Sequence, residues 1–114
     1  MEKTIFQKII DRELKADIIF ENDKIIAFED IDPVAPVHIL IVPKKYINSI
    51  NSLKSEDKEL IGEMFIVAKE IAEKLKINDS GYRTVFNTNN DAGQTVYHIH
   101  LHLIGGRKLD WPPG

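Results

Sequence analysis

The apolar residues of this chain recur with two periods, one typical of helices and one typical of strands. Helical spacing marks the segment 4–12, where Thr4 and Gln7 fit a capping box. It also marks a long segment that begins at Ser55, whose apolar stripe comprises Leu60, Ile61, Met64, Phe65, Ala68, Ile71, Ala72 and Leu75. Strand-like runs occupy 17–21, 24–29, 38–42, 82–87 and 95–104.

This order of elements predicts an α+β fold with a five-stranded, mostly antiparallel sheet, a short N-terminal helix and one long helix. Asn22 and Asp23 are typical turn residues, so the first two strands are expected to form a hairpin. The run 38–42 is almost wholly apolar after its first residue, which predicts a strand buried on both faces. The stripe of the long helix is wide enough for part of it to serve a subunit interface.

The last predicted strand carries the most informative pattern. His98, His100 and His102 alternate with single large aliphatic residues, and they are three of only four histidines in the chain. Because side chains alternate between the faces of a strand, the three imidazoles are expected on one face. Such a row suits either a metal site, since imidazole is the commonest transition-metal ligand, or a nucleophile attended by orienting groups.

Composition narrows the class of protein. The chain has 114 residues, of which 43% are hydrophobic and 29% charged, which predicts one globular domain, 1–114. A net charge of −3 argues against nucleic acid as the main partner, and no apolar run is long enough to predict a membrane span. There is no cysteine, so disulfides and thiolate metal sites are excluded. We expect a cytoplasmic protein.

The loop before the histidines offers groups that suit an anion. Gly93 lets the backbone approach a ligand, and Gln94 and Thr95 add an amide and a hydroxyl. A hairpin turn would use the same residues. Beside the imidazole row, however, an anion pocket is what transfer chemistry at phosphorus requires.

The segment His98-Ile-His-Leu-His-Leu-Ile104 resembles the signature of the histidine triad (HIT) superfamily, in which histidines alternate with apolar residues. The likeness extends over nearly the whole chain and includes Thr4–Ile10, Ala27–Ile31, Pro33–Ile39, Val42–Lys45, Gly93–His98 and Gly105–Arg107. The terminal Trp111-Pro-Pro-Gly114 resembles the branch called histidine triad nucleotide-binding proteins.

This resemblance implies a homodimeric purine nucleoside phosphoramidate hydrolase that needs no cofactor. His100 would attack the α-phosphorus, expel the amine and form a nucleotidyl-histidine that water then cleaves. His102 would contact the phosphate and the leaving group, and His98 would support the row, with His38 nearby in a hydrogen-bond network. Retention of His102 favours a hydrolase over the nucleotidyltransferase branch, which has glutamine there.

The resemblance also implies the substrate contacts. Asn87, Gly93, Gln94 and Thr95 match phosphate-contacting positions, and Asp30 matches the position that binds the ribose hydroxyls. The apolar cleft for the base would comprise Ile5, Phe6, Ile9, Phe28 and Ile31. Taken without the resemblance, Asp30 is an ordinary loop aspartate and Phe6, Ile9 and Phe28 are ordinary core residues. The tail with Trp111 is expected near the active site of a dimer.

One departure from the family bears on metal binding. Some members hold a structural zinc ion with two cysteines, a histidine and the first triad histidine. Here Thr4, Gln7 and Tyr46 stand at three of those four positions. We therefore expect no structural zinc.

Three other functions remain open at this point. The same fold could cleave dinucleoside polyphosphates by the same covalent route. The chain could instead be a nucleotide-binding or interaction module with incidental catalysis. Finally, His98, His100 and His38 could hold zinc, although same-face residues of a strand lie roughly 6.5–7 Å apart, which makes convergence on one ion difficult.

Overall fold

The computed structural model describes residues 2–114, which form a five-stranded sheet, a short helix and a long helix. The sheet is antiparallel throughout, with the strand order β1-β2-β3-β5-β4. The elements are α1 (Ile5–Ile10), β1 (Ile18–Glu21), β2 (Ile25–Glu29), β3 (Val37–Pro43), α2 (Lys58–Lys74), β4 (Tyr82–Val85) and β5 (Leu101–Gly105). The predicted α+β class, strand number and two helices are confirmed.

The predicted capping box opens α1. The Thr4 hydroxyl accepts the backbone N–H of Gln7 at 3.1 Å, and the Gln7 side chain accepts the backbone N–H of Thr4 at 2.6 Å. Two backbone donors that a helix start leaves unpaired are thus satisfied. The helix then buries Phe6 and Ile9 against the sheet.

Side chains from alternate positions of the central strands build a core on each face of the sheet. On one face, Ile39 and Ile41 of β3 pack with Leu101 and Leu103 beneath α2, which contributes Met64, Val67, Ala68, Ile71 and Ala72. On the other face, Leu40 and Val42 pack with residues of β2 and α1: Phe6, Ile9, Ile26 and Phe28. Burial of β3 on both faces is confirmed.

The long helix begins with a short 3-10 turn, Ser55–Asp57, and continues as α2 for 17 residues. The buried stripe of α2 is narrower than the predicted apolar stripe and does not include Phe65. The side chain of Phe65 is 43% exposed, and that of its neighbour Ile66 is 57% exposed. Within residues 2–114, no helix has both the length and the apolar character needed to cross a membrane.

The histidine strand is shorter than predicted, because β5 begins at Leu101 rather than at Thr95. The ladder between β3 and β5 ends with the pair Ile41 and Leu101, and in the same register Val42 would lie opposite His100 and Pro43 opposite Ile99. Proline has no N–H to donate, so regular pairing stops there. The N–H of Ile99 turns instead to the carbonyl of Ile47, at 2.7 Å.

Leu101 is fully buried at the junction of β3, β5 and α2, so Leu101→Ala tests this packing. We expect the variant to lose about 3 kcal/mol of unfolding free energy, since a deleted core leucine leaves a cavity. Urea unfolding followed by circular dichroism measures the loss. Leu14→Ala, at a half-exposed leucine, is the control and should change stability by less than about 1 kcal/mol. Equal losses in the two variants would contradict the burial of Leu101 between the sheet and α2.

Candidate active site

All four histidines of the chain converge on the sheet face that carries α1. His102 pairs in register with Leu40, whose side chain lies in the core beneath α1, and His38 precedes Leu40 by two positions. The ring centroids of His102 lie 5.2 Å from His38 and 4.9 Å from His100. The predicted histidines therefore do lie together, although His98 and His100 precede β5 and only His102 lies within it.

His98 anchors the row to the end of β3. Its Nε2–H donates to the carbonyl of Pro43 at 2.7 Å, and the side chain is fully buried. A carbonyl only accepts hydrogen bonds, so this contact places the imidazole proton on Nε2. Burial lowers the pKa of His98, which is thus neutral at neutral pH.

His100 is held so that one ring nitrogen stays available. Its Nδ1–H donates to the carbonyl of His98 at 2.8 Å, and its ring packs edge-on against Phe6, with centroids 4.9 Å apart. The proton on Nδ1 leaves the lone pair of the neutral imidazole on Nε2. Burial lowers the pKa of His100, so this lone pair persists at neutral pH.

His38 and His102 share a hydrogen bond whose direction the neighbouring backbone decides. The N–H of Val34 donates to Nδ1 of His38 at 3.2 Å, so the proton of His38 lies on Nε2. That Nε2–H faces Nδ1 of His102 at 2.9 Å. His102 must accept this bond through Nδ1, which leaves its own proton on Nε2.

The outcome is a complementary pair of reactive nitrogens in neighbouring residues. His100 offers a lone pair at Nε2, and His102 offers an N–H donor at Nε2. Burial, together with the nearby imidazoles of His100 and His38, lowers the pKa of His102 to about 4. Both rings therefore carry these roles as neutral groups at neutral pH.

Asp30 lies at the edge of this network. One carboxylate oxygen accepts the N–H of Asp32 at 2.8 Å, and the other lies 3.4 Å from Nε2 of His38. With His38 it lines a cleft whose other walls include Leu14, Lys15, Ile18, Ile31 and Pro33. A half-buried carboxylate at the wall of a cleft is able to accept paired hydroxyl groups.

Of the five apolar residues expected around a base, three are buried in the core and two are exposed. Phe6, Ile9 and Phe28 are buried together beneath the histidines. Ile5 is exposed, and Ile31 is 97% exposed at the cleft. The chain therefore brings three of them together as core and leaves two as surface.

The predicted phosphate loop contains one residue that the fold already uses. The side chain of Gln94 accepts the N–H of Asn89 at 2.8 Å and donates to the carbonyls of Asn48 and Val96, at 3.0 and 3.1 Å. It braces the loop rather than presenting a free amide. Gly93 has a φ of 84°, a conformation that favours glycine. Thr95 is exposed and Asn87 half-buried.

Trp111 is not among the residues that line the cleft at Asp30 and His38. It is 80% exposed, and its ring lies 5.9 Å from the guanidinium of Arg83 on the edge strand β4. Arg83 also donates to the carbonyl of Asp110 at 2.9 Å and so holds the tail to the same edge.

Among residues 2–114, the side chains with metal-ligand spacing are Asp30, His38 and His102, whose donor atoms lie within 4.8 Å of one another. This set differs from the predicted alternative of His98, His100 and His38. A metal at Nε2 of His38 would have to displace the proton already there. That proton could not move to Nδ1 without losing the bond from Val34.

Sequence reasoning missed the groups that set these proton positions: the N–H of Val34 and the carbonyls of Pro43 and His98. They belong to the backbone, which every residue supplies, so residue identity gives no signal for them. Of these three residues, only Pro43 could be recognised from the sequence as special, because a proline can end the hydrogen-bond ladder between two strands.

Comparison with known proteins gives concordant results. A purine nucleoside phosphoramidase of Escherichia coli K12 is 50% identical over 108 residues, which are 95% of this chain and 91% of that protein. An uncharacterized HIT-like protein of Synechococcus elongatus is 50% identical over 99% of this chain and 98% of its own. The crystal structure of a HIT family hydrolase from Legionella pneumophila Philadelphia 1 superposes with a TM-score of 0.96, at 49% identity, over 98% of this chain and 100% of that chain.

The model of the HIT domain family matches residues 11–109, which include Asp30, His38 and the histidine row. With this match and these identities, the chain belongs to the HIT domain family.

Proposed function

We propose that this protein hydrolyses purine nucleoside phosphoramidates through a covalent intermediate on His100. The observation that carries the proposal is the fixed tautomer of His100, whose Nδ1–H is bound to the His98 carbonyl while Nε2 keeps its lone pair. A neutral imidazole attacks without prior loss of a proton. The 50% identity to the E. coli purine nucleoside phosphoramidase supports this substrate class.

In the first step, Nε2 of His100 attacks the phosphorus and the bond between phosphorus and the amine nitrogen breaks. The departing nitrogen takes the proton from Nε2 of His102 and leaves as an amine. His100 then carries the nucleotidyl group as a positively charged imidazolium, and His102 is left as a negatively charged imidazolate beside it, so the net charge of the site is unchanged. The Nε2–H of His38, 2.9 Å from His102, stabilises that deprotonated ring.

In the second step, water attacks the same phosphorus. Its oxygen stays on the nucleotide, one of its protons returns to Nε2 of His102, and the bond to His100 breaks. The electron pair of that bond restores neutral His100. Both imidazoles recover their starting tautomers, so the cycle needs no metal or cofactor.

The remaining expected contacts belong to this proposal. Asp30 would accept the ribose hydroxyls, and the backbone around Gly93 with Thr95 and Asn87 would bind the phosphate. Gln94 would contribute by holding that loop in shape, because its side-chain amide is already bonded. The base would lie in the cleft at Ile31, with Phe6, Ile9 and Phe28 supporting it from the core and Ile5 from the surface of α1.

We also propose that residues 1–114 act as a single HIT domain, in the cytoplasm, as part of a homodimer. Two features support the dimer: the edge strand β4 ends the sheet, and α2 exposes Phe65, which packs on Phe86 with ring centroids 5.8 Å apart. The same edge strand β4 carries Arg83, which holds the tail with Trp111. A second copy would bring that tail within reach of a neighbouring active site.

His100→Ala should abolish turnover of an adenosine phosphoramidate, by on the order of 10³-fold or more, while nucleotide affinity is retained. Intact-mass spectrometry of rapidly quenched native enzyme should show a transient adduct of one adenylate, which the variant lacks.

The native enzyme should have a higher kcat/KM for the phosphoramidate than for a diadenosine polyphosphate. Treatment with a chelator should leave both rates unchanged.

Turnover by His100→Ala at a rate near that of the native enzyme would refute nucleophilic catalysis by His100. A higher kcat/KM for the diadenosine polyphosphate would replace the proposed substrate class. Loss of activity on chelation, restored by a metal, would contradict the metal-free mechanism and would indicate a metal site at Asp30, His38 and His102.

The pH dependence of kcat/KM follows from the lowered pKa values of His100 and His102. An ordinary histidine gains its proton as the pH falls through about 6.5. These two stay neutral below that pH, so the rate should hold a plateau through pH 6.5 and fall only toward the lowered values. The measurement subtracts the spontaneous hydrolysis of the substrate at each pH. A half-fall at about pH 6.5 would contradict the neutral network.

The unfolding free energy should also depend on pH, between about 6.5 and the lowered pKa values of the native histidines. It must therefore be measured in parallel with the rate. Between the lowered native pKa values and about 6.5, the unfolded chain binds more protons than the native state. Unfolding free energy is therefore fully present above about pH 6.5 and decreases as the pH falls below it. Circular dichroism at each pH separates loss of fold from loss of rate.

Sedimentation velocity at micromolar concentration should show a dimer. Phe65→Lys should weaken it, because a lysine would enter the apolar contact that we propose α2 makes with its partner. Glu63→Lys is the control, since it introduces the same side chain roughly 160° around the helix. A monomer in the native protein, or equal weakening by both variants, would contradict this interface.

A further inference from the structure

The loop between β2 and β3 is held at Val34 by its backbone rather than by packing. The side chain of Val34 is 57% exposed. Its N–H donates to Nδ1 of His38 at 3.2 Å, and its carbonyl accepts from Nη2 of Arg107 at 2.9 Å. One residue thus links an arginine beyond β5 to the histidine network.

Arg107 reaches Val34 because the chain leaving β5 passes close to the same loop. Gly106 has a φ of 90°, and a Cβ at this position would lie 2.9 Å from Cβ of Pro36. Only glycine allows that approach without displacing the loop. The approach places the Arg107 guanidinium, in the next residue, at the carbonyl of Val34.

The guanidinium is itself fixed at a second point. Nη1 of Arg107 donates to the carbonyl of Lys108 at 3.0 Å while Nη2 holds Val34. A planar group with several donors is able to bind two carbonyls at once, whereas a lysine ammonium is a single flexible point. Arg107 therefore acts as a rigid bracket between the end of β5 and the loop.

The position of the Val34 N–H decides where a proton lies on His102, which is 64 residues beyond His38. While this N–H faces Nδ1, His38 keeps its proton on Nε2 and donates it to Nδ1 of His102. If Nδ1 of His38 gained the proton, Nε2 would become an acceptor. His102 would then have to donate through Nδ1, and its Nε2 would lose the proton that a leaving nitrogen takes.

We propose that Arg107 is a positioning residue that, through Val34, fixes the tautomers of His38 and His102. The kinetic consequence rests on the proposed function, whereas the tautomers themselves do not. The network of bonds runs from Arg107 to Val34, His38 and His102, and none of its first three members needs to touch the substrate.

The test compares Arg107→Ala with Lys108→Ala in the full-length protein. Both variants remove one positive charge from adjacent exposed positions, but only the first removes the donor to Val34. Long-range ¹H–¹⁵N correlation spectra report which ring nitrogen of each histidine carries the proton. In the native protein and in Lys108→Ala, His38 and His102 should be protonated at Nε2 and His100 at Nδ1.

In Arg107→Ala, a population of His38 protonated at Nδ1 should appear, together with the matching change at His102. The tautomer of His100 should not change. With an adenosine phosphoramidate, kcat should fall about tenfold with little change in KM, as expected when proton donation to a leaving group becomes less probable. Arg107→Lys retains one donor for Val34 and should recover part of kcat.

Unchanged tautomers of His38 and His102 in Arg107→Ala would overturn the proposal, as would a native His38 protonated at Nδ1. Equal effects of Lys108→Ala would overturn it too, because charge alone would then be the cause. If the tautomers shift as expected while the native protein cleaves no phosphoramidate, the positioning role stands and the proposed function fails.

Discussion

The site depends on one missing donor, the N–H that Pro43 does not have. Because of it, the ladder between β3 and β5 stops at the pair Ile41 and Leu101, and the chain before Leu101 leaves the sheet. The N–H of Ile99 bonds the carbonyl of Ile47 instead, and the carbonyl of Pro43 is then free to accept the Nε2–H of His98. Pairing that continued to Ile99 would have engaged the Pro43 carbonyl, and the tautomer of His98 would have lost its anchor.

The arrangement also shows why the imidazoles are buried mainly among aromatic and aliphatic residues, with a single carboxylate, Asp30, at the edge of the network. A row of charged histidines would repel one another, and each would need its own counter-charge in a medium of low polarity. Neutral rings avoid both penalties, and each can serve as donor at one nitrogen and acceptor at the other. Phe6, packed edge-on to His100, belongs to this environment as much as to the core.

Much of this could be predicted from the sequence because it rests on side-chain type and spacing. The two periods of apolar residues gave the helices and strands, and the alternation of His98, His100 and His102 identified the row. The limits of β5 could not be predicted from the alternation, since they depend on which partner strand lies opposite. The role of Gln94 as a brace depends on Asn48, a residue 46 positions away, and the bracket formed by Arg107 depends on a backbone carbonyl. Such contacts arise only when distant segments meet.

The length of chain between partners in the site has a consequence for folding. The bond from His98 to Pro43 closes 55 residues, and that from His38 to His102 closes 64. Closing loops of this length costs several kcal/mol of chain entropy, more than one buried hydrogen bond contributes. The sheet and α2 must therefore assemble the site, and the site adds little to the assembly. Catalytic competence should therefore appear only once β3 and β5 have paired, since neither strand alone brings His38 and His102 together.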